Sequence, residues 1–499
     1  MHSKWLRLLV VAAAILVRVP ARADDKATDE SWDAVFMGND KVGYVHTVTR
    51  PVRENEQDLV QVQVETVMSI KRFNQSVEMK LDYTSVETPA GKMLRMDNRG
   101  LSGLDTRTVG VLQGDTMVLT LETPGKKSSL SVPWGDDVLG PGAEDRILKK
   151  KPLKAGDQIS FRSFMSDLNQ IVTNVYVGEE MEDVKMLDGS TRRLQRVRAQ
   201  IEGIPALKNF KTYMWVDDKG ETQKTTTTML AGMTTYRVSK EAATAPSAAF
   251  SSDFGEKSLV KVGKQIPKAF ETQEIVYRIT VQDEDPSEVF PQDERQSITK
   301  GENGEYLLTI RAIDPRQPPA TRTPITPDDF LKSNNYLQIE DAKVIAAAKQ
   351  AVGDAMEPWE KARRIEEWVY KHLTAKNFSK VFDSAAVVAE KLEGDCTEHG
   401  VLVAAMARVA GIPSRVAVGL VYAQRLGAFG YHMWAEVYVG GRWVPVDGTL
   451  GLGHASPAHI KLADSSLDGA DAMVAFLPVA RVMDRLKIEP LSWKYAEPK

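Results

Sequence analysis

The sequence holds a single cysteine, Cys396, among 499 residues. One thiol cannot form a disulfide within the chain, so no disulfide framework supports this fold. A basic excess is lacking too: 64 Lys and Arg stand against 68 Asp and Glu, a formal net charge of −4. That balance excludes a dedicated nucleic-acid binder, which carries a basic surplus. Beyond the first residues no apolar run is long enough for a membrane-spanning helix. The length exceeds one ordinary core, so two or three domains are expected.

The start of the chain reads as an export signal. Lys4 and Arg7 precede an apolar run from Leu8 to Val17, then Pro20 and the small-residue site Ala21-Arg22-Ala23. The run is too short to span a bilayer, and Arg18 interrupts it. We therefore expect a signal peptide over 1–23, a mature chain from Asp24, and a periplasmic or extracellular protein with no integral membrane segment. No cysteine follows the signal, so no lipid anchor is expected there.

From 24 to 240 the chain reads as strands. Val60, Val62 and Val64 alternate with polar residues, as do Val77, Met79, Leu81 and Tyr83; this is the period-two mark of a half-buried strand. Turn signals at Gly38-Asn39-Asp40, Gly114-Asp115 and Asp188-Gly189 separate the runs. A large antiparallel meander or half-barrel is expected, acting as spacer or interaction surface. A linker near 241–252 and a small β-rich segment over 253–320 follow. The prolines between Pro315 and Pro327 mark the next boundary. Over 321–499 helices come first: Asp341–Val352, Pro358 to about Leu373, Ser384 to Leu392, and Cys396 to a stop at Gly411. Strands at Arg415–Tyr422, His432–Val439 and Arg442–Asp447 then give an α+β domain.

The chemistry gathers around Cys396. Its place in the first turn of an apolar helix favours the thiolate, the nucleophilic form, through the partial positive charge of the helix N-terminus. Gly440-Gly441 is a two-residue hairpin turn. It places Val439 opposite Arg442 and Trp434 opposite Asp447, so His432 and Asp447 share a face as diagonal neighbours. Such neighbours lie about 7–8 Å apart at the backbone, within reach of a carboxylate–imidazole hydrogen bond. Pro445 speaks for a bulge or an edge strand. A histidine beside the sulfur takes its proton, and a carboxylate on the far nitrogen fixes the tautomer.

Gly394-Asp395-Cys396 with Glu398-His399, then Gly411-Ile412-Pro413-Ser414-Arg415, His432-Met433-Trp434-Ala435-Glu436 and Trp443 with Val446-Asp447 resemble the core of the bacterial transglutaminase-like superfamily. The resemblance covers roughly Asp341 to Leu450. It implies a papain-like fold in which Cys396 is the nucleophile, His432 the base and Asp447 the orienting acid, with no cofactor or metal. One departure is Gly448, where the family usually has proline. The implied function is amide acyl transfer or hydrolysis through a thioester on a protein or peptide substrate: a cysteine peptidase, an amidase or a protein-glutamine acyltransferase. The alternative is a cell-envelope binding or scaffold protein.

Other residues compete. His399, three positions after Cys396, is a rival base or half of a zinc site completed by His454 or His459, should the C-terminal segment fold back. Packing is the expected role of His399. Glu436 is expected to be an exposed strand glutamate, and Trp434 and Trp443 to wall the cleft or fill the core. The Cys396 N–H is the natural oxyanion donor.

Overall fold

The structure, a computed structural model, describes residues 29–496 apart from 102–104, 167, 229–231, 247–252, 318, 320–321, 379–381, 455 and 470–473. The expected signal peptide lies outside the described residues.

The N-terminal part is one 15-stranded sheet. Its first strand, Asp29–Met37, sits in the middle and pairs with both the second, Asp40–Glu54, and the last, Met233–Val238. The chain meanders outward through Lys126–Pro133, passes directly to the opposite edge at Val138–Leu139, and after the helix Pro141–Lys150 meanders back from Gln158–Met165. A bridge between Lys92 and Leu139 ties the far edge to the outgoing arm. Trp134, Val138 and Phe164 bury against Met93 and Met117, so the sheet curls over its own core.

The C-terminal half holds two further sheets. A five-stranded one contains Ala428–Val439 at its centre, flanked by Ser414–Ala423, then His459–Ser465, and on the other side by Val260–Lys261 and Arg442–Val446. A four-stranded one is ordered Gln296–Lys300, Tyr306–Arg311, Thr272–Val281, Leu486–Tyr495. The last strand of the chain thus completes the sheet of the middle segment, and Val260–Lys261 joins the sheet of the C-terminal segment. The boundary expected near 320 is crossed in both directions.

Four helices, Ala342–Val352, Pro358–His372, Ala385–Lys391 and Cys396–Val409, cover one side of the five-stranded sheet. Their starts and stops follow local chemistry. The Asp341 carboxylate accepts from the Lys343 and Val344 N–H groups, and Gly353 ends that helix at φ 57°. Pro358 opens the second helix, where its missing N–H costs nothing. The Cys396 helix is apolar on all sides, and Val401 to Ala407 are fully buried between the other helices and Met433, Ala435 and Val437 of the sheet. No helix among the described residues is long and apolar enough to cross a membrane.

Candidate active site

Cys396 is the first residue of its helix, and Asp395 is the cap. The Asp395 carboxylate accepts from the Thr397 N–H at 2.9 Å, while Glu398 reaches back to the Asp395 N–H at 2.9 Å. This reciprocal arrangement satisfies backbone donors that would otherwise be orphaned. Cys396 is half-buried, at the start of a helix packed in the core.

The hairpin register is the expected one. Val439 pairs with Arg442, Glu436 with Pro445 and Ala435 with Val446. Gly440 and Gly441 turn the chain at φ 63° and 97°, where side chains other than glycine are strained. Pro445 fits because, among the described residues, its strand pairs with Ala428–Val439 alone. Asp447 follows directly, and its Oδ2 accepts from His432 Nε2 at 2.8 Å. The Cys396 side chain also favours the charged form of His432, and with Nε2 on Asp447 it is Nδ1 that is left for the sulfur. Of the residues named from the sequence, His432 and Asp447 are thus directly bonded, and Cys396 is among the groups that act on the imidazole.

The electrostatics follow from burial and pairing. Burial opposes the charged form of His432, but the Asp447 carboxylate, the Cys396 sulfur and the hydrogen bonds to both raise it to about 10. Burial opposes ionisation of Asp447 too. The His432 charge and hydrogen bond, with a second from His459, still hold it well below the usual carboxylate range. Its Oδ1 accepts from the Thr449 and Leu450 N–H groups at 2.9 and 3.3 Å, which fixes the carboxylate plane.

Residues 345–448 match the transglutaminase-like superfamily. This chain carries a transglutaminase-like domain. Among solved structures, a candidate cysteine protease from Cytophaga hutchinsonii is 19% identical over 45% of this chain and 87% of its own, with a TM-score of 0.28. A β-barrel-like protein from Brucella abortus is 13% identical over 42% of this chain and 94% of its own, at 0.32. A candidate protease from Parabacteroides distasonis is 12% identical over 71% of this chain and 64% of its own, at 0.19. Likenesses of that size carry no argument, and no curated protein matches the chain. The chemistry therefore rests on the side chains of the transglutaminase-like domain.

The competing residues separate clearly. His399 is buried with Nδ1 2.6 Å from the Asp395 carbonyl and Nε2 3.1 Å from that of Leu373. Both ring nitrogens face backbone carbonyls, of which a neutral ring donates to one, so His399 packs the helix start. His454 meets the carbonyls of Leu452 and Phe270 at 2.8 Å each. Among the described residues Cys396 and His399 belong to no group of three ligand atoms.

His459 does fold back, to a different end. Its Nε2 lies 2.9 Å from Asp447 Oδ2, so two imidazoles share one carboxylate oxygen. Burial lowers its affinity for a proton, against the pull of Asp447. A neutral His459 gives its Nε2–H to Asp447 and leaves a buried Nδ1 without a partner. His432, Asp447 and His459 also have their ligand atoms within 4.8 Å of one another, the one such trio among the described residues. A metal there would need both Nε2 atoms stripped of the protons that now hold the carboxylate.

Glu436 corrects an expectation: it is buried, not exposed. Arg415 pairs with it at 2.6 Å and Lys461 at 3.2 Å, and Asp293 closes over Lys461 at 2.7 Å. The strand face carrying His432 and Glu436 is covered by the segment around Asp293, so the charges survive burial only as a paired network. Trp434 fills the core between His432 and His459. Trp443 lies against Arg415, Phe330 and Tyr438. Gly448 stands where a Cβ would meet Val403 and Val369 at 2.8 and 2.9 Å, so two helices approach too closely for any larger residue.

No sequence signal marks Glu366. This buried carboxyl of the second helix accepts from the Gly453 N–H at 3.2 Å beside the Asp447 loop. Burial, and then the Asp447 charge, push it up to about 8.

Proposed function

We propose that this chain is an exported thiol enzyme that cleaves or transfers amide bonds, with Cys396 as nucleophile, His432 as proton carrier and Asp447 as the acid that orients it. The observation that supports this best is the 2.8 Å bond from His432 to Asp447, on an imidazole whose charged form the Cys396 side chain also favours. In this reading the Cys396 thiolate attacks the carbonyl carbon of a protein or peptide amide. The Cys396 N–H, which has no helical partner at the first position, faces the developing oxyanion. The C–N bond then breaks as the His432 imidazolium gives its proton to the departing amine, leaving a thioester. Water attacking the thioester regenerates the thiol and completes hydrolysis; an amine completes a transamidation. The packing of helices on an antiparallel sheet behind the site is in keeping with a papain-like core. Export would be set by residues 1–23.

The test is alkylation by iodoacetamide near neutral pH. Cys396 in the wild type is expected to react far faster than a free thiol, and His432→Ala is expected to slow it by about 10²-fold or more. Equal rates in both proteins would sink the reading and favour a scaffold. Incubating the wild type with cell-envelope extract should then leave an acyl adduct on Cys396, identified by mass.

A further inference from the structure

The N-terminal sheet reaches into the site by one hairpin tip. Gln57–Arg72 and Gln75–Glu87 are joined by Phe73 and Asn74, both left-handed at φ 48° and 64°. That tip is held in place. The Phe73 and Asn74 N–H groups both donate to the Asp253 carboxylate, at 2.8 and 2.7 Å, and the Phe73 ring lies so close to Gly255 that a Cβ there would meet it at 2.9 Å. From this fixed base four contacts extend to the segment leading into Cys396. Phe73 packs on Phe378 at 5.2 Å between ring centroids. Gln75 Oε1 accepts from the Phe378 N–H at 2.7 Å. Arg72 lies over the Phe378 ring and pairs with Asp395 at 2.8 Å.

Asp395 is 2% exposed and immediately precedes Cys396. Its carboxylate caps the helix, and Glu398 sits against it in the same turn. A buried carboxylate without a countercharge is unstable, and negative charge beside a thiol opposes the thiolate. Arg72 is the cation that the structure places on Asp395, and it arrives from a sheet far earlier in the chain. We propose that Arg72 is a positioning residue of the Cys396 site: its guanidinium neutralises Asp395 and locks the first turn of the helix, making the N-terminal sheet a working part of the site rather than a spacer. This rests on the function proposed above.

The test uses the full chain and iodoacetamide. Arg72→Gln, which removes the charge and keeps a polar side chain, is expected to slow Cys396 alkylation about tenfold, the effect of one nearby charge. Arg72→Lys should recover most of that rate. In an Asp395→Asn background, where no carboxylate needs neutralising, Arg72→Gln should cause no further loss. An unchanged rate in Arg72→Gln, or the same tenfold loss with and without Asp395→Asn, would overturn the proposal. Should Arg72→Gln fail to fold, Arg72→Lys decides: a rate close to wild type upholds the role of charge, and one as slow as that of His432→Ala overturns it. A wild-type thiol no faster than a free one would instead fail the proposed function itself, whatever Arg72 does.

Discussion

Asp447 carries four hydrogen bonds from three directions, two on each oxygen. Asp447→Asn would put an amide where two imidazole N–H groups now donate. Alkylation of Cys396 is expected to fall about 10²-fold or more, with the fold retained by circular dichroism. His459→Gln tests the second donor. The variant should alkylate several-fold more slowly than the wild type while keeping a dependence on His432, since one of the two imidazole bonds on Oδ2 is lost. Glu366 gives a pH prediction. Its proton affinity is raised from 4.5 to about 8 by folding, so its contribution to stability is fully present below about pH 4.5 and is lost as pH rises through 8. Glu366→Gln carries no such loss. The melting temperature of the variant relative to the wild type should therefore climb between pH 6 and pH 9; a constant gap would contradict the buried protonated carboxyl.

At the scale of elements, the parts legible in the sequence are those fixed by short-range chemistry. Asp341, Pro358, Gly353 and the Asp395–Glu398 pair act within one turn, which is why the helix limits follow from residue type. The hairpin at Gly440-Gly441 likewise sets its own register, and the His432–Asp447 bond is a consequence of it. Gly441→Val tests that dependence. A β-branched residue at φ 97° and against Arg322 is expected to cost about 1–3 kcal/mol, read as a lowered denaturation midpoint. His459 is not legible as a partner of Asp447, because its strand reaches the site by pairing with Ser414–Ala423 rather than through a turn. Glu436 departs from expectation for a related reason. Alternation along a strand marks two faces but does not say whether the second meets water or another segment.

Across the whole molecule the N-terminal sheet is joined to the C-terminal half at several places. Thr123, Lys126 and Ser128 bond to the Ser333–Asn335 stretch, Leu168, Ile204 and Phe210 bury against Leu477 and Ala480, and Arg72 meets Asp395. Contacts spread this widely couple the two parts, so calorimetry of the full chain is expected to show one unfolding transition. Two well-separated transitions would show the sheet to be independent. The sequence by itself determined a cysteine at a helix start and a histidine and an aspartate on one hairpin face, because capping and two-residue turns act between near neighbours. Only the tertiary structure decided that Cys396 comes to act on the His432 imidazole, that His459 shares Asp447, and that Arg72 reaches Asp395. Those depend on which distant surfaces the fold brings together and on the need of each buried charge for a partner there.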